Sequence, residues 1–204
     1  MIKIENLNEA YNQTIELFDT EVNDGKEILF QMETLITNLK EHWKGKDSYK
    51  HINRLIGNHE RLQSFLDVTI ESTRQTMASV ITLQQARQAN GGGGQIGDIK
   101  ESVVDFLSKV NYIDETEEYY IDPLISEDYK LLEEVEEKMQ TFDRKISTQR
   151  ENLLANWILG YNRKEIVENF ENIEMLGEKT ERDITNMKTD LLASINNANL
   201  IIDK

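Results

Sequence analysis

Two apolar stripes and the short stretch between them constrain this chain most. Ile15, Phe18, Val22, Leu29, Met32, Ile36, Leu39 and Trp43 follow one another three and four apart, with one miss at Gly25. That spacing lines one side of an α-helix, which is buried only by packing along a partner. A second stripe follows: Ile52, Leu55, His59, Leu62, Leu66, Thr69, Thr73, Met77, Val80 and Leu83. Only Leu39-Lys-Glu-His-Trp-Lys-Gly-Lys-Asp-Ser-Tyr49 lies between them, and it reads as the bend of a helical hairpin. Gly45 permits a turn that a bulkier residue resists. Asp47 or Ser48 is placed to cap the next helix by accepting from its free N–H groups. Trp43 is large enough to wedge between the helices where they diverge.

The same arrangement returns 114 residues later, where Trp157 and Gly160 close another stripe. Asn162-Arg-Lys-Glu165 then opens a helix in the manner of a capping box. The pattern predicts helices over about 6–42, 48–88, 126–156 and 163–202. Gly25 sits inside the first, where it costs roughly 1 kcal/mol against Ala and favours a kink. The lower half of the second stripe is rich in Thr, which predicts looser or wetter packing. Leu55, Phe65, Ile70 and Ile81 widen the apolar face of that helix and form a candidate partner-binding seam. In the last two helices the seams are Leu132, Val135, Met139, Phe142, Ile146 and Leu153, then Ile166, Phe170, Ile173, Thr180, Ile184, Met187 and Leu191.

Asn90-Gly-Gly-Gly-Gly94 ends the second helix and reads as a flexible joint. Asp98 and Glu101 cap a short helix, and an irregular acidic stretch runs on to Ile125. There Pro123 keeps Asp122 out of the helical region. The expected fold is all-α: an elongated bundle of two long antiparallel helical hairpins joined by a Gly-rich linker and a short helix. Its divisions are a hairpin at 1–89, a linker at 90–97, a short helix and connector at 98–125, and a second hairpin at 126–204.

The charge of −15 argues against nucleic acid, which calls for clustered Lys and Arg, and against an anionic membrane surface. It favours solubility, or steering toward a basic partner. With no Cys there is no disulfide or thiolate chemistry. The N-terminus lacks the apolar run of a signal peptide, and no stretch of 18 apolar residues predicts a membrane span. The three histidines do not form a His-Glu-x-x-His motif, and His59, on the apolar stripe, reads as a satisfied core residue. Glu133, Glu134, Glu136 and Glu137 read as a solvated face, and no Lys-Ser or Lys-Thr follows the glycines as a phosphate loop would need. The expectation is no enzyme, no catalytic residue, no cofactor and no metal.

A helix ending in Trp43-x-Gly45, with an aromatic, Tyr49, soon after in the next helix, resembles the WXG-motif proteins exported by bacterial type VII secretion. Residues 1–89 span one such hairpin. The stretch from Tyr120-Ile-Asp-Pro-Leu-Ile through the second hairpin is similar to the second half of LXG-type domains, the helical N-terminal domains of toxins sent out by the Gram-positive system. The resemblance implies a non-enzymatic export or targeting domain, held in the cytoplasm before secretion, that binds small helical WXG-like chaperones or partners. The secretion ATPase and a second copy of the chain are further partner candidates. It also implies that Trp43, Gly45, Trp157 and Gly160 fix the two bends. The chain would be an excised targeting domain or a stand-alone relative of the toxins. Tyr129-x-x-x-Glu133 and Tyr161-x-x-x-Glu165 match the family's export-signal pattern but do not follow the first hairpin, so neither is assigned that role. The alternative reading is a cytoplasmic coiled-coil scaffold that self-assembles through the same seams.

Overall fold

The computed structural model describes residues 7–92, 110–116, 118–156 and 163–198. Among the described residues it is all-α apart from one two-stranded ladder. In order come α1 (Leu7–Asp19), a π-turn (Thr20–Asp24), α2 (Gly25–His42), β1 (Trp43–Lys44), α3 (Lys46–Ala89), β2 (Tyr120–Ile121), α4 (Ile125–Asn156) and α5 (Arg163–Asn197). The expected short helix after Asp98 and most of the Gly-rich linker lie outside the described residues, as do Trp157 and Gly160.

The irregularity of the first helix is one widened turn over Thr20–Asp24, which the Gly25 N–H closes by donating to the Thr20 carbonyl, with Gly25 itself at a helical φ of −63°. The glycine also serves a close approach: a Cβ there would come within 2.7 Å of a Leu66 methyl group. Glu21 is fully buried, while the stripe residue Val22 is only half-buried. The start of α3 also differs from expectation. Ser48 does not cap by accepting; its hydroxyl donates to the Gly45 carbonyl at 2.7 Å. At the far end Gly91, at φ +80°, turns the chain, and the Gly92 N–H donates to the Arg87 carbonyl.

The fold divides into two compact units, each drawing on three separate stretches of chain. The first takes the described residues of Met1–Lys26, Ser64–Asp105 and Phe142–Glu174. Its core includes Leu17, Phe18, Leu66, Met77, Val80, Phe142, Ile146, Phe170 and Ile173. The Thr-rich part of α3 lies here, with Thr69, Thr73 and Thr76 buried. Thr69 and Thr76 donate to carbonyls four residues back, and Thr73 donates to Glu21, so these hydroxyls enter the core with partners.

The second unit comprises Glu27–Gln63, the described part of Phe106–Thr141, and Met175–Lys204. Leu29, Met32, Ile36, Leu39, Ile52, Leu55, Leu132, Val135, Met139, Ile184, Met187 and Leu191 form its core. Paired polar side chains give its helix order. Asp128 of α4 meets His42 of α2, Lys188 of α5 meets Glu136 of α4, and Asn58 of α3 meets Asp183 of α5. Each pairing joins antiparallel neighbours, so this unit is a four-helix bundle.

Candidate functional site at the Trp43 bend

The bend between α2 and α3 gathers the unusual chemistry of the second unit. Trp43 is 2 % exposed, and its ring stacks on His51 with centroids 5.9 Å apart and planes 16° apart. Gly45 adopts φ +140°, a conformation L side chains rarely take, and an added Cβ would meet the Tyr119 ring at 3.3 Å. The bend is thus closed by backbone geometry and by a neighbouring ring, and glycine is the residue that suits both.

Trp43 does not simply wedge between helices. Its backbone, with Lys44, pairs in an antiparallel ladder with Tyr120 and Ile121, in register Trp43 to Ile121 and Lys44 to Tyr120. The connector before α4 is therefore a strap laid along the start of α3. Asn53 anchors it with two hydrogen bonds: its amide donates to the Ile113 carbonyl at 2.8 Å, and its side-chain oxygen accepts from the Ile113 N–H at 2.9 Å. The Tyr112 hydroxyl donates to Glu60 at 2.9 Å, and the Lys40 ammonium donates to the Asn111 carbonyl. At the other end the Asp122 N–H donates to the His42 carbonyl at 2.8 Å.

Two His–Asp pairs brace the same end of the bundle. His42 Nδ1 lies 2.6 Å from Asp128, which is 1 % exposed, and His51 Nε2 lies 2.8 Å from Asp190. Asp122 accepts from the Tyr120 hydroxyl at 2.6 Å and from the Leu124 N–H at 2.9 Å. Those hydrogen bonds hold its carboxyl below the usual range and push the Tyr120 hydroxyl up. Deeper in the unit, His59 is fully buried and neither ring nitrogen has a hydrogen-bond partner of good geometry. Burial pushes its pKa down, against the pull of Glu33, Glu60 and the Leu29 carbonyl. The expected satisfied core histidine is buried but not satisfied.

Of the residues singled out by sequence, Trp43 and Gly45 meet at this bend. The partner-binding seam lies elsewhere: Leu55, Ile70 and Ile81 are buried at 1 %, 7 % and 6 % exposure, and Phe65 is half-buried. In the chain as folded, three of those four side chains are already covered. Sequence reasoning missed Asn53, the His42–Asp128 and His51–Asp190 pairs, and Glu21. Only Glu21 carried a signal, standing three residues after Phe18 on the apolar stripe. The pairs join residues 86 and 139 positions apart, and nothing local marks either partner.

Among the described residues no three His, Asp or Glu side chains converge as a metal site would require, and no helix is long and apolar enough to cross a membrane. No protein-family model, no curated protein and no solved structure matches the chain.

Proposed function

We propose that this chain is a non-enzymatic export or targeting domain of the bacterial type VII secretion kind. It docks small helical partner proteins and leaves the cytoplasm with them. The observation that carries this reading is the Trp43-Lys44-Gly45 bend. The two residues of the motif are there for reasons that can be stated: Trp43 is buried against His51, and Gly45 takes a backbone conformation that suits glycine. The all-α architecture is compatible with helix-on-helix docking, in which apolar side chains supply affinity and flanking charges supply register.

The test is an export assay. The tagged chain is expressed in a Gram-positive host with an intact type VII system, with and without its ATPase. Appearance in the medium only when the ATPase is present is the expected result. Retention in the cell with candidate partners co-expressed would overturn the reading and turn attention to a self-assembling scaffold.

A further inference from the structure

Eight large apolar side chains stand exposed among the described residues, and four of them, Tyr112, Tyr119, Tyr120 and Leu124, fall within the strap. The strap is held by its backbone, by Asn53, by the Tyr112–Glu60 hydrogen bond and by the β1–β2 ladder, and much of each of these four side chains is still open to solvent. Its charge is equally uneven. Residues 110–124 contain five Asp and Glu and no Lys or Arg. The stretch it lies on, residues 40–61, carries six basic and three acidic side chains, so bed and strap together remain net −2. Asp114, Glu115 and Glu118 are exposed. One local contact shows what such a surface accepts: the Lys44 ammonium sits 5.9 Å from the centroid of the Tyr120 ring.

We propose that the outer side of the strap is a docking surface for a partner helix that presents basic and apolar side chains together. Exposed rings and Leu124 take the apolar side chains and the ammonium groups, while the carboxylates set orientation and exclude acidic partners. The inference extends the partner-binding reading by naming the face and the chemistry of what docks there. The buried seam of α3 leaves that role open.

The probe is a labelled 18-residue amphipathic helix of Leu and Lys, with a Leu/Glu peptide of the same pattern as its counterpart, followed by fluorescence anisotropy at physiological salt. The full chain should bind the Leu/Lys helix and not the Leu/Glu one. The double variant Tyr119→Ser/Leu124→Ser, which leaves every charge in place, should weaken binding about tenfold or more. Asp114→Asn/Glu115→Gln/Glu118→Gln, which leaves every ring in place, should do the same. Phe30→Ser, which removes an exposed apolar side chain elsewhere in the unit, should change it less than about twofold. Circular dichroism confirms that each variant keeps its helix content. No binding by the full chain, wild-type binding by the double variant, or an equal loss from Phe30→Ser would each overturn the proposal. Export of a chain whose strap variants bind like wild type would defeat this surface and spare the export reading. A retained chain that shows the expected binding pattern would do the reverse.

Discussion

Glu21 shows what burial does to a carboxyl. It lies in the core of the first unit, where Thr73 donates to one oxygen at 3.2 Å and the other oxygen has no partner. Burial pushes its pKa from 4.5 to about 8, the Thr73 hydrogen bond notwithstanding. The folded state therefore holds a proton that the unfolded chain has lost, and Glu21 destabilises the fold progressively as pH rises from about 4.5 to about 8. The slope is at most about 1.4 kcal/mol per pH unit. Glu21→Gln keeps the shape and the acceptor for Thr73 and removes the titration. Urea unfolding across that range should show the variant more stable than wild type at pH 7.5, with the gap closing toward pH 4.5. A constant gap would show that Glu21 stays ionised in the fold. Gly45 poses the opposite problem, one of backbone rather than charge. Gly45→Ala must hold a side chain at φ +140° against the Tyr119 ring and should cost about 1–3 kcal/mol in the same assay.

At the scale of the element, the strap and the bend hold each other. Replacing Trp43 by Ala removes a buried ring stacked on His51 and leaves a cavity beneath the ladder. It should cost about 3–5 kcal/mol, with the Trp43 share of the fluorescence lost and the melting temperature lowered. Asn53→Ala removes both hydrogen bonds to Ile113 and should cost about 1–3 kcal/mol. Hydrogen exchange should then speed up at the Ile113 amide while the core of α3 stays protected; unchanged exchange there would mean that the ladder alone holds the strap. Helix existence was legible because stripes of period near 3.6 have one physical solution, and α3, α4 and α5 begin within two residues of where the pattern places them. The π-turn was not legible. Phe18 and Val22 keep perfect spacing for an ordinary helix, and nothing in the stripe marks the widened turn over Thr20–Asp24.

Across the molecule the two units carry buried titratable groups of opposite type. Glu21 makes the first unit less stable as pH rises toward 8, whereas buried neutral His59 acts on the second in the other direction. Its folded pKa lies below the unfolded value of 6.5, so its contribution is intact above that pH and is lost as pH falls through it. Glu33 and Glu60 temper the effect by favouring the charged ring. His59→Leu should therefore resist acid better than wild type below about pH 6.5, read as a smaller fall in melting temperature between pH 7 and pH 5. An equal fall would place the acid sensitivity elsewhere.

Periodicity and the single proline were enough to specify an all-α chain of long amphipathic helices, because each is a local property read from neighbours in sequence. They also located the bend, where a glycine two residues after a tryptophan falls between two stripes. Tertiary structure decided what lies against what: the strap over α3, the histidines paired with aspartates 86 and 139 residues away, and the covering of Leu55, Ile70 and Ile81. Burial and long-range pairing depend on which stripe meets which, and several pairings of similar stripes bury similar apolar area. Side-chain complementarity chooses among them, and it is expressed only in the folded chain.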